Sequence, residues 1–221
     1  MRPLILVLLL IPSLAIAKPP AKKDVDTTII RMPIEELGEL REAEGRVRED
    51  DALVVRYTEE SKWSQLDEKA ARQWVDAGKA ILKALQADAE SAQAWGRLEE
   101  QAALAGELKR AESNLAWREA RLEEAGKFSD FQSARLFWAK EQLQHDKTDV
   151  EHQRMAAYNK KVGGSADAQV EIGKIQQQLG KDATAEGKAR QKMEKAEHAW
   201  QDAAAKSAKL NPTPSTPPPA K

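Results

Sequence analysis

No proline occurs between Ile34 and Asn211, and this constrains the fold more than any other feature of the chain. All ten prolines lie toward the two ends. Inside a helix, proline removes a hydrogen bond and clashes with the preceding turn, at about 3 kcal/mol per residue. A span this long that excludes proline, and is filled with Ala, Glu, Lys, Arg, Gln and Leu, is written for helix. No period-two run of β-branched residues and no Asn-Gly or Asp-Gly hairpin signal interrupts it. The expected class is all-α: an elongated helical hairpin or coiled-coil bundle of a few long helices, with no β-sheet.

The two ends read differently. Met1-Arg2 is a minimal positive start, Leu4 to Leu14 is apolar, and Ala15-Ile16-Ala17 is a small-x-small cleavage pattern. The apolar run falls short of the roughly 20 residues that span a bilayer. Residues 1–17 are therefore expected to be a cleavable signal peptide, with the mature chain starting at Lys18 in the periplasm or outside the cell. The mature chain is expected to carry no transmembrane segment, and without a cysteine after the cut it has no site for a lipid anchor. Residues 18–33 read as a flexible linker, with Pro33 suited to a first helical position. Residues 210–221 read as a proline-rich disordered tail.

Composition narrows the function classes. An exported chain with no cysteine uses no disulfide, no thiolate nucleophile and no cysteine-based metal site. The formal charge is −1, and removing Arg2 with the leader takes it to −2. Such a near-neutral, mixed-sign surface argues against nucleic acid as a partner. Aromatic residues are scarce and alanine dominates the apolar set, which suits narrow helix–helix seams better than a deep catalytic pocket.

Within the domain, 34–209, four helices are expected at about 34–90, 92–125, 130–162 and 166–209. The first carries an alternating 3,4 row: Leu40, Ala43, Val47, Asp50, Val54, Tyr57, Ser61, Ser64, Glu68, Ala71, Val75, Gly78, Leu82, Leu85, Ala89 and Ala92. Its middle is polar. Ser64 to Asp67 resembles a capping box, which predicts a kink near 61–65, with a second soft point at 88–91. Gly126 followed by Ser129 reads as a helix stop and a new N-cap, and Gly163-Gly164-Ser165 repeats that logic. The first of these breaks would fold 92–125 against 130–162 as a hairpin and bring Leu115 beside Trp138.

Two stretches resemble known families. Residues 111–143, through Gly126, Ser129, Asp130, Ala134 and Ala139, resemble the helical hairpins of periplasmic adaptor and outer-membrane efflux proteins. Those families also contain strand domains that this chain lacks. The resemblance therefore implies an envelope hairpin and not a transport activity. Residues 77–115, through Ala77, Ile81, Ala84, Leu85, Asp88, Trp95, Leu98, Gly106, Leu108, Ala111 and Leu115, resemble one tetratricopeptide helix pair, which implies a peptide-binding adaptor. Ala89 stands where that repeat usually has proline.

Few residues suggest chemistry. His145, Asp149 and His152 share one helix face at i, i+4 and i+7, a spacing that suits a divalent metal. Residues 144–153 are polar all round, however, and Thr148 to Glu151 resembles another capping box. They are read as a solvated stretch, and no metal, cofactor or catalytic residue is expected. Trp63, Trp74, Trp95, Trp117 and Trp138 are the partner-binding candidates. Trp63 and Trp74 lie three turns apart on one face, and large indoles are common interface anchors. Equally, they can fill seams otherwise made of alanine. The function expected is a non-enzymatic, exported scaffold or interaction module of the cell envelope. Its partner would be another envelope protein or a second copy, with a tetratricopeptide-like adaptor or a metal-binding helical protein as the alternatives.

Overall fold

Helix-favouring composition and unbroken 3,4 rows produce very long helices. The computed structural model describes residues 19–211, so the leader at 1–17 and the proline-rich residues 212–221 lie outside the described residues. Helix α1 is Lys22–Ile30, and a 3₁₀ turn at Ile34–Leu37 precedes α2, Gly38–Ala94. Helix α3 is Leu98–Lys161 and α4 is Ala166–Leu210. The protein is all-α, with no strand among the described residues.

The chain forms two compact units, and α2, α3 and α4 each contribute to both. The smaller comprises the described residues up to Glu44 together with Lys147–Gly180. Its core is Val25 of α1 packed with Met155 and Ala168, ringed by Ile29, Tyr158, Ile172 and Ile175. An ion pair joins Arg154 to Asp26. Residues 22–30 are therefore a packed helix and not linker. Val25, Ile29 and Met32 repeat at i, i+4 and i+7, and burying that stripe outweighs the weak helix preference of the threonines and isoleucines. Pro33 is the residue before the 3₁₀ turn, in an extended conformation, rather than the first residue of the long helix.

The larger unit, Gly45–Asp146 with the residues from Lys181 onward, packs α2 antiparallel to α3. Gln142 donates to Asp50 at 2.8 Å, Arg135 donates to Glu60 and to the Tyr57 hydroxyl at 3.0 Å, and Arg118 donates to the Trp74 carbonyl at 2.9 Å. Helix α4 lies beside α3, where Ser207 meets Glu124 and Trp200 stacks on Phe131 at 5.6 Å. Every position of the row Leu40 to Ala92 is buried or half-buried.

Two expected breaks in α2 are absent. Ser64 is fully buried, and its hydroxyl donates to the Ser61 carbonyl at 2.9 Å, so it serves as a small seam residue rather than a cap. The helix also passes unbroken through 88–91 and turns only at Trp95–Arg97. There Gly96 takes φ +67°, and the Arg97 amide donates back to the Ala92 carbonyl at 3.0 Å. That bond spans the last turn, as in a glycine-terminated helix end.

The hairpin expected at Gly126–Ser129 does not form either, because α3 runs straight through it. A row continues across the glycine without a register change: Leu115, Leu122, Ala125, Ser129, Gln132, Leu136, Ala139 and Leu143 are all buried or half-buried. Glycine in a helix costs only about 1 kcal/mol, and a continuous buried row outweighs that. The same holds at Thr148–Glu151, where Asp146 and Thr148 are buried rather than solvated. The break at Gly163-Gly164 is real. Both glycines have positive φ, and the Ser165 hydroxyl accepts from the Ala168 amide at 3.2 Å.

These backbone states give opposite signs for two glycine substitutions. Gly126→Ala should stabilise the protein by about 0.5–1 kcal/mol, because its φ is not positive and a Cβ there meets open space. Gly96→Ala should destabilise by about 1 kcal/mol or more, because its φ is left-handed. Urea denaturation midpoints measure both, and the reverse order would contradict a continuous α3.

Candidate interaction surface

Helix α2 has two apolar faces. The inner row is closed against the rest of the larger unit. The outer one, spaced at three and four residues, is Trp63, Leu66, Ala70, Trp74, Ala77, Ile81 and Ala84, and every one of these side chains is exposed. Trp63 is 65% exposed, Leu66 52%, Ile81 51% and Trp74 42%, so the large residues of this stripe face solvent together. Isolated exposed apolar residues are ordinary, whereas a contiguous stripe of them marks a docking surface.

Trp74 is held rather than loose. Its ring meets Trp117 edge-on at 5.0 Å, and the Arg118 guanidinium lies 4.9 Å from its centre. Below it, α2 and α3 approach so closely that a Cβ on Gly78 would lie 3.2 Å from Leu115 and Arg118. An open groove beside Trp74 is floored by Ala70, Ala71, Ala77, Ala125, Phe128 and Trp200. The aromatic residues Phe128, Phe131 and Trp200 form one stack, with Trp200 5.1 Å from Phe128.

The five tryptophans singled out in the sequence separate into roles. Trp63, Trp74 and Trp95 are exposed, Trp95 at the α2–α3 turn. Trp117 and Trp138 are half-buried in α3, and the buried indole N–H of Trp138 has no acceptor among the described residues. Trp200 is the aromatic residue that sequence reasoning missed. It falls outside the spacing that links Trp74 to Trp138. Its signal is the α4 row Asp182, Ala189, Met193, Ala196, Trp200, Ala203 and Ser207, all buried or half-buried.

His145, Asp149 and His152 are each engaged by other groups. His145 Nδ1 lies 3.2 Å from Asp146 Oδ1, Asp149 accepts from Gln153 at 3.2 Å, and His152 Nε2 lies 3.3 Å from the Gln176 amide nitrogen. Among the described residues no group of three or more His, Cys, Asp or Glu side chains is placed to hold a metal ion. No described helix is long and apolar enough to cross a membrane. Comparison with known proteins finds no family model, no curated protein and no solved structure that matches this chain.

One carboxyl group inside the larger unit is strongly perturbed. Asp50 is 4% exposed, and its pKa rises from 3.8 to about 6, first through burial and then through the carboxylate of Asp146. Gln142 donates to Asp50 Oδ1, while Oδ2 has no donor among the described residues and faces a second carboxylate. A proton on Asp50 turns that repulsion into a hydrogen bond. Arg46 Nε, 3.5 Å from Asp146, balances part of the charge, whereas Glu49 and Glu186 add to it. Because the folded state raises this pKa, it keeps a proton that the unfolded chain releases. Stability contributed here is full below pH 4 and is lost as the pH rises to about 6 and beyond. The loss amounts to about 2–3 kcal/mol. Asp50→Asn should therefore stabilise the protein by about 1–3 kcal/mol above neutral pH and have little effect near pH 4. Urea denaturation at both pH values measures this, and a destabilised variant above neutral pH would contradict it.

Proposed function

We propose that this protein is an exported, non-enzymatic helical scaffold of the cell envelope that presents the outer face of α2 to a protein partner. The observation that carries the reading is the contiguous exposed stripe from Trp63 to Ala84 on a helix whose opposite face is already closed. Indole and branched aliphatic side chains lose little conformational freedom on binding and remove much apolar surface from water, and interface hot spots are enriched in tryptophan. The envelope assignment rests on the leader-like residues 1–17. The absence of cysteine suits a fold that is stabilised by long buried rows instead of disulfides in an oxidising compartment.

A photo-crosslinking side chain placed at Leu66 and, separately, at Gln86 in the full chain tests the reading in intact cells. Both positions are exposed on α2, but only Leu66 belongs to the stripe. A protein adduct in the envelope fraction from position 66 and none from position 86 is the expected outcome. No adduct from position 66, or equal adducts from both, would contradict an interaction module working through this face.

A further inference from the structure

We infer that the occupant of the α2 stripe is the α2 helix of a second copy of this chain, packed antiparallel about a two-fold axis near Arg72 and Gln73. The inference deepens the interaction-module reading and rests on it.

The stripe complements itself. A two-fold axis at residues 72–73 places each residue before the axis opposite one after it. Trp63 then faces Ile81 of the other copy, and Ala70 faces Trp74, so each indole lies against a smaller or aliphatic side chain. Leu66 meets the small side chain of Ala77. All of these are exposed in the single chain. Large-against-small pairing lets two helices approach without overpacking.

Charge follows the same symmetry. Along one flank of the stripe, Lys69 lies opposite Asp76 of the other copy, and Asp76 opposite Lys69. Both are exposed, and neither forms an ion pair within the chain among the described residues. Antiparallel helices bring like flanks together, so the two pairs form at once. A parallel arrangement would bring opposite flanks together and leave Lys69 apart from Asp76 of the other copy, so it gains neither pair. The exposed stripe would bury on the order of 1,000 Å² in total, the lower edge of a specific interface. The dimer is accordingly expected in the micromolar range, appearing with concentration.

Sedimentation velocity on the full processed chain, from low to high micromolar, tests the inference. A concentration-dependent monomer–dimer equilibrium is expected. Trp63→Asp should weaken it about tenfold or more. Lys69→Asp should weaken it measurably, and the double exchange Lys69→Asp with Asp76→Lys should restore it, which a general loss of folding would not do. Circular dichroism of each variant checks that the helices are intact. Three results would overturn the second-copy assignment: a monomer at every concentration, a dimer indifferent to Trp63→Asp, or a double exchange that fails to restore association. The mass of the adduct formed at position 66 in cells separates this failure from the wider one. An adduct of twice the chain mass supports the second copy. An adduct with a different protein overturns the second copy and leaves the interaction module standing. No adduct sinks both.

Discussion

The antiparallel register of α2 against α3 is the constraint on which the larger unit depends. Asp50 meets Gln142, Tyr57 meets Arg135, Trp74 meets Arg118 and Gly78 meets Leu115, so each step along α2 is matched by a step back along α3. A single register over that length requires both helices to be unbroken. It also decides which residues the seam receives. Small side chains such as Ser61, Ser64, Ser129 and Ala139 fill it, and polar ones at Asp50, Gln132 and Asp146 are carried with them. A slip of one residue would rotate those groups out of the seam and bring charged positions such as Lys62 and Lys140 toward it. The buried carboxylates are therefore a property of the register. The Asp50–Asp146 contact costs stability unless it holds a proton.

Much of this was legible in the sequence. The row Leu40 to Ala92 was readable because its period survives its polar middle, and the helical class followed from the exclusion of proline. Glycine was the poorer guide. Gly126 and Gly163 look alike as letters, yet only Gly163 adopts a left-handed backbone. Two adjacent glycines followed by a capping serine end a helix, while one glycine inside a continuing buried row does not, because tertiary burial outweighs about 1 kcal/mol of propensity. The turn at Gly96 escaped notice for the converse reason: no capping serine or proline follows it. Residues 22–30 hid a helix because their short apolar stripe gains its partner, Met155, from a distant part of the chain. Histidine spacing at 145–152 was equally uninformative, since a shared helix face says nothing of what the neighbouring helices bring to it.

Helix α2 thus carries two kinds of apolar surface with different chemistry. The inner row mixes leucine, valine and Tyr57 with alanine, serine and glycine, the small residues permitting close approach where they fall. The outer stripe concentrates Trp63, Leu66, Trp74 and Ile81, each left largely or partly open to solvent. The tetratricopeptide-like stretch 77–115 spans the turn between α2 and α3, but here both helices run far past the length of one repeat. The stretch 111–143, which resembles an adaptor hairpin, is part of one helix. In this chain the hairpin is made by α2 and α3, and its outer face carries the exposed stripe.

The most direct test of this account is the distance between spin labels at Ser113 and Lys140 in the dilute, monomeric protein. Both positions are exposed on α3, on either side of Gly126. A continuous α3 predicts a single distribution near 40 Å, from about 1.5 Å of rise per residue. A distribution centred below about 20 Å would mean that the chain folds back at Gly126, and the register of α2 against α3 would be wrong.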